Sequence, residues 1–272
     1  MDLQVTPLSG ALGAVVDDVD LRDALNGGAS IDPAAIRALL DEYLVVFFPG
    51  QHLTDDQHLR VGLTLGEGYI HPLGRMFGKT QISAEHIRDT PESPPYQDEW
   101  HTDVSWDPDP PRVGLLRAIE MPVRGGDTVW ASAYAAYDAL DDATKASLEG
   151  LTAIHDMGRG KAFETKMGPE LVARTRAEFP GVSWPVVRTD SPTGRPFLYV
   201  NRGFTRQING LDADASAELL GELCAQFTSP NVQVRYRWSV GDVAIWDERT
   251  TQHFAVNDYM PACREMARVV VN

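Results

Sequence analysis

The feature that most constrains this chain lies late in it. In residues 232–238 (VQVRYRW), Val232, Val234, Tyr236 and Trp238 alternate with Gln233, Arg235 and Arg237. Side chains on a strand point to opposite faces with a period of two, so this segment reads as a strand with one buried face. SVGD then turns the chain into residues 243–246 (VAIW), a continuous apolar strand. A third late strand, CREMARVVV at 263–271, places Arg264, Met266, Arg268 and Val270 on one face.

Earlier segments extend the pattern. Residues 32–42 (DPAAIRALLDE) carry helical spacing behind an Asp and a Pro suited to a helix start, and 43–48 (YLVVFF) read as a buried strand. Strands are expected over 112–120, 127–131 and 196–201, the last after the turn SPTGR at 191–195. Amphipathic helices are expected over 134–148 and 212–227. Many short strands, late hairpins and a few flanking helices, with no glycine-rich phosphate loop behind any strand, predict a mainly β fold. The expected form is a cupin-like jelly roll, a double-stranded β-helix, in one domain over 1–272. Residues 70–112 are proline-rich and loop-like, yet hold the densest group of reactive side chains, as functional loops do.

Composition narrows the function. A formal net charge of -15 repels nucleic acid and anionic lipid, so any bound anion needs a local cluster of Arg or Lys. No run of about 18 apolar residues is present to span a membrane, and no basic-then-apolar leader opens the chain, so the expected location is cytoplasmic. Cys224 and Cys263 are too few for a disulfide framework or a thiolate zinc site.

His101-Thr102-Asp103 puts an imidazole and a carboxylate at i and i+2, on one side of an extended segment, where both can reach one metal. Alone, such a pair is common by chance. A facial triad needs a third ligand from a distant strand, and His253, just past the strand that ends in Trp246-Asp247, is a candidate; an ordinary loop histidine is the alternative. If Met266 faces the core, so do Arg264 and Arg268, about 13 Å apart at the ends of that stretch. Buried guanidinium groups need anions, so either two separate anion sites exist or one or both arginines pair with structural carboxylates or face solvent.

These residues sit in a longer series that resembles the taurine dioxygenase and 2,4-dichlorophenoxyacetate dioxygenase family of iron(II)- and 2-oxoglutarate-dependent enzymes. The matching segments are WHTDVSW (100–106), GGDTVWAS (125–132), VVRTDSPTGRPFLYVNRGFT (186–205), WSVGDVAIWDERTTQH (238–253) and DYMPACREMARVV (258–270). The resemblance implies the double-stranded β-helix fold, with His101, Asp103 and His253 as metal ligands. It also implies Thr128 and Arg264 as holders of the distal carboxylate of 2-oxoglutarate, and dioxygen as oxidant. The implied reaction hydroxylates a small organic anion (a sulfonate, alkyl sulfate or phenoxy or carboxylic acid) with succinate and CO2 as co-products. Retention of Asp103 speaks for hydroxylation over halogenation. Desaturation or rearrangement of an amino or carboxylic acid, or anion binding without turnover, are the alternatives. The family also implies a homo-oligomer, a dimer or tetramer.

On the substrate side the resemblance implies contacts from His71, Gln97 and Arg268, with Phe204 as a pocket wall or a core aromatic. Gly74 stands where the taurine branch has Tyr, and Gln97 where it has Asn, which predicts a larger pocket and a substrate other than taurine. Arg75 is read either as a further anion contact or as a solvated loop residue.

Overall fold

A computed structural model describes residues 3–27, 30–95, 99–157, 168–191 and 193–272. Its larger sheet has seven strands in the order β1 (Gln4–Pro7), β2 (Ala14–Asp17), β3 (Val45–Phe48), β13 (Val243–Asp247), β5 (Val113–Glu120), β15 (Arg264–Val271) and β4 (Glu85–Asp89). β2 and β3 run parallel; the other neighbours are antiparallel. A three-stranded sheet is built from β12 (Gln233–Tyr236), β6 (Thr128–Ser132) and β14 (Thr251–Ala255). A second one joins β11 (Thr205–Ile208), β7 (Thr152–His155) and β8 (Val182–Pro185), and β9 (Val187–Thr189) pairs with β10 (Pro196–Leu198). This is the expected jelly roll, with its sheet neighbours far apart in sequence.

The strand period decides which side chain meets which layer. In β3, Val45 and Phe47 enter the core between the sheets, while Val46 and Phe48 pack under the helices on the outer face. β13 repeats this, with Ala244 and Trp246 inward and Val243 and Ile245 outward. Both strands are fully buried, which is why they read as unbroken apolar runs. The outer layer includes the helix Pro33–Tyr43, begun by Asp32 accepting from the Ala35 N–H (2.7 Å) with Pro33 in its first turn, and it buries Ile36, Leu39 and Leu40. A second outer helix, Asp55–Leu65, opens with a Thr54–Gln57 capping box. The SVGD turn is tied by Asp242, whose carboxylate accepts from the Ser239 N–H (2.8 Å) and the Tyr236 hydroxyl (3.0 Å); Gly241 supplies the φ of 92°.

Two expectations change. The single helix over 134–148 is two short ones, Ala133–Asp138 and Asp142–Ser147, because Asp141 caps the second by accepting from the Thr144 N–H (2.8 Å). Nor is 70–112 wholly irregular: it holds the short helix Pro72–Met76 and the edge strand β4. β4 escapes a hydropathy reading because two of its inward-facing residues, Glu85 and Asp89, are acidic. Among the described residues no helix is long and apolar enough to cross a membrane.

Gly114 on β5 pairs with Trp246 on β13, and a Cβ there would run into the indole ring and approach Glu248 Oε1 to 2.7 Å. Gly114→Ala is therefore expected to destabilise the protein by roughly 1–3 kcal/mol through overpacking, read as a lower denaturant midpoint. An unchanged midpoint would mean the ring moves freely.

Candidate active site

The segment 101–103 is fastened to the segment 248–253 residue by residue. His101 and His253 form a two-way backbone bridge, His101 N–H to His253 O (3.2 Å) and His253 N–H to His101 O (2.9 Å). Thr102 Oγ1 donates to Thr251 O (2.9 Å), and the Asp103 N–H donates to Glu248 Oε2 (3.1 Å). Val104 then takes a left-handed φ of 53°, turning the chain away immediately after the carboxylate. Three side chains separated by about half the chain are thereby held on one spot.

The ligand atoms of His101, Asp103 and His253 lie within 4.8 Å of one another, the one such group of three among the described residues. His101 Nε2 is 3.6 Å from Asp103 Oδ1, and the imidazole centroids are 4.2 Å apart. His101 Nδ1 lies 2.8 Å from Glu99 O; a carbonyl only accepts, so Nδ1 carries the proton and the Nε2 lone pair faces the carboxylate. His253 Nδ1 is buried with no hydrogen-bond partner. Two imidazoles and one carboxylate with open room beside them fit a divalent iron-type ion.

Electrostatics prepare the same state. Burial pushes the Asp103 carboxyl up, but Arg268, with His101 and His253, outweighs it and holds the group well below the usual carboxylate range, ready as an anionic ligand. Burial lowers His253 to about 3, which keeps it neutral and able to coordinate. Glu248 goes the other way: burial and the neighbouring Asp103 charge raise it well above its ordinary value.

A cavity of about 130 Å³ opens beside the triad, with Glu85, Thr128, Trp246, Arg264 and Arg268 in its wall. The two arginines do face inward, yet they are in different states. Arg264 is 4% exposed; its Nε donates to Gly126 O (3.0 Å) and its Nη2 to Thr128 Oγ1 (3.3 Å), with no carboxylate at ion-pair distance among the described residues. Burial lowers its pKa. Arg268 instead meets two of the protein's own carboxylates, Asp103 Oδ2 (2.6 Å) through Nη1 and Glu85 Oε2 (2.8 Å) through Nη2.

Phe204 sets its ring edge-on to His101, with centroids 6.0 Å apart, so it lies against a candidate ligand. Its N–H donates to Asn201 Oδ1 (2.7 Å), and Asn201 Nδ2 donates to Ser105 Oγ (3.0 Å), which ties Phe204 to the WHTDVSW segment. His71 caps the helix Pro72–Met76 through Nδ1 and meets Trp106 edge-on; burial first, then the Arg268 charge, lowers it to about 4. Gln97 lies outside the described residues. Arg75 is half exposed, as a solvated residue would be, and its guanidinium pairs with the buried Asp107 (2.5 Å), so it is not a free anion contact. A Cβ at Gly74 would approach Lys79 (3.2 Å) and Ile70 (3.7 Å), and Gly74 is not among the residues that line the cavity beside the triad. The sequence reading missed Glu85 and Glu248. Glu85 sits in a strand without apolar alternation, and Glu248 beside Arg249 reads as a solvated turn.

The profile of the taurine catabolism dioxygenase TauD, TfdA family matches residues 4–270. The chain belongs to that family. It is 33% identical over 277 residues to an alpha-ketoglutarate-dependent sulfate ester dioxygenase of Pseudomonas putida, a match that takes in 100% of this chain and 90% of the relative. It is 32% identical to an alkylsulfatase of Acinetobacter baylyi, over 99% of this chain and 84% of that one. Among solved structures it is similar to AAD-2 in complex with Mn(II) and N-oxalylglycine, with a TM-score of 0.83 and 27% identity, covering 100% of this chain and 97% of that one.

Two outcomes follow from the site. His253→Ala should lose Mn(II) binding, measured by electron paramagnetic resonance, with the circular dichroism spectrum unchanged; Mn(II) affinity equal to the parent's would remove His253 from the ligand set. The second concerns acid stability. His58, His155 and His253 are each lowered to about 3, chiefly by burial, so the unfolded chain binds their protons first. Their stabilisation is complete above about pH 6.5 and is lost as the pH falls toward 3, on the order of 1 kcal/mol per group and pH unit. Denaturant midpoints of the metal-free protein should fall steeply from pH 6.5 to 4.5. Mn(II) should offset the share of His253, and a flat profile would contradict neutral buried rings.

Proposed function

We propose that this chain is an iron(II)- and 2-oxoglutarate-dependent dioxygenase that hydroxylates a small organic anion. The substrate class is an alkyl sulfate, a sulfonate or a phenoxy or carboxylic acid. The observation that carries this reading is the pairing, at one cavity, of a two-histidine, one-carboxylate ligand set with a buried arginine that has no carboxylate at ion-pair distance among the described residues. A dicarboxylic keto-acid satisfies both at once: its distal carboxylate is held by Arg264 and the Thr128 hydroxyl, and its keto-acid end reaches the metal ligands. Bound iron supplies the activation of dioxygen, drawing electrons from decarboxylation of the keto-acid to succinate and CO2.

The chain's own residues do the rest. Asp103 and the two imidazoles fix the metal, the 101–103 to 248–253 fastening fixes them, and Phe204 and Trp246 wall the reacting volume from water. Arg268 offers the remaining cation for the substrate's anionic end, orienting the target C–H toward the metal face. Where that carbon also bears a sulfate, sulfonate or ether oxygen, its hydroxylated product collapses and releases the heteroatom group. The names of the relatives from Pseudomonas putida and Acinetobacter baylyi support the sulfate ester among these classes.

The test is substrate-dependent succinate formation with matching dioxygen uptake across alkyl sulfates, sulfonates and phenoxy acids. Succinate that forms with none of them would overturn the substrate class, and a protein that binds no 2-oxoglutarate would overturn the reaction. Arg264→Met should raise the 2-oxoglutarate requirement about 10- to 100-fold, the size of a lost charge-assisted pair, and Thr128→Val should raise it less. An unchanged requirement in Arg264→Met would assign that arginine to structure.

A further inference from the structure

Arg268 presents a fork that is only half used. Its Nη1 is committed to Asp103, and Asp103 is held as a metal ligand, 3% exposed with its backbone fixed by Glu248. The opposite edge of the guanidinium carries Nε and Nη2, the pair that grips an oxyanion through two parallel hydrogen bonds. Glu85 takes Nη2 alone, and Nε is buried with no partner. A buried donor left open beside an occupied one marks a seat shaped for an anion that engages both.

Glu85 is placed to give up that seat. It stands directly across from Arg268 in the β4–β15 pairing, on a strand at the sheet's edge, and its side chain is half exposed. Its one hydrogen bond among the described residues is the contact to Arg268. Asp103 cannot leave without dismantling the metal site, whereas the half-exposed Glu85 can swing to solvent once an incoming anion replaces it on Arg268. A second anion cannot share the Nη2 edge with it, because like charges at that separation repel strongly in a low-dielectric cavity.

We propose that Glu85 is a specificity-determining residue, a built-in carboxylate that sits on the substrate-anion seat of Arg268 in the resting protein and is displaced when an anionic substrate docks. This rests on the reading of Arg268 given under the proposed function. In the bound state a sulfate or carboxylate takes both Nε and Nη2, and Glu85 turns outward. The exchange sets a threshold: only a ligand that makes the two-bond contact wins the seat, and uncharged molecules of the same size gain nothing from the arginine.

Calorimetric titration of hexyl sulfate into the Mn(II)- and 2-oxoglutarate-loaded protein, without dioxygen, tests this, with hexanol as the uncharged comparison. Glu85→Gln and the shorter Glu85→Ala should bind hexyl sulfate about three- to ten-fold more tightly than the parent and bind hexanol as the parent does. A merely structural role for Glu85 would not tighten an anion. Unchanged or weaker hexyl sulfate binding in both variants overturns the proposal, as does equal tightening of hexanol, which would mean that the cavity had only widened. Binding by the variants alone would support it, and binding by no form would overturn it. Succinate formation by the parent on a different substrate would still leave the dioxygenase reading standing.

Discussion

The backbone bridge between His101 and His253 is the constraint on which the site depends. A facial ligand set needs two donors that are near neighbours and a third from elsewhere, and here the third arrives by β14 being locked beside 101–103. Thr102 and Asp103 add their own bonds to Thr251 and Glu248, so the ligand spacing is set by hydrogen bonds of fixed length and needs no flexible side-chain reach. Trp246, in van der Waals reach of the His253 ring and packed over Gly114, closes the floor beneath. The candidate metal site is thus the end of a strand ladder, and its precision is that of the sheet.

Charge is distributed around this ladder with a purpose that burial alone would oppose. Two arginines and four acidic groups, Glu85, Asp89, Asp103 and Glu248, stand in or beside a small cavity. Asp103 and Glu85 share Arg268, Asp89 accepts from the Tyr259 hydroxyl (2.6 Å), burial and the Asp103 charge raise Glu248 well above its ordinary value, and Arg264 has no carboxylate at ion-pair distance among the described residues. The unmatched cation is the one that stands beside Thr128, deep in the barrel. An internal cation without a counter-ion is costly, and a bound dicarboxylate relieves that cost. The same accounting separates the two arginines, which look alike in the sequence.

How much was legible in advance varied with the physics of each element. The strands β3 and β13 could be read as unbroken apolar runs, and the helices Pro33–Tyr43 and Ala213–Gln226 because helical apolar spacing and a capping Asp coincide in each. The strand β4 could not, since its inward residues are charged and become sensible only when Arg268 stands opposite. The break at Asp141 was hidden because a capping side chain and a helical surface residue look the same until the turn is known.

The sequence by itself determined the β-rich class, the buried strands and, through the long series of motifs, the family, and it named a candidate trio of ligands, because periodicity and motif order are local properties carried by residue type. Tertiary structure decided which cations were free. Whether Arg264 or Arg268 has a carboxylate within 3 Å depends on the pairing of β15 with β4 and β5, and on where 101–103 is fastened. No local pattern encodes those contacts, since ion pairing is a matter of distance in space and the partners Glu85, Asp103 and Arg268 are brought together only when the sheet closes.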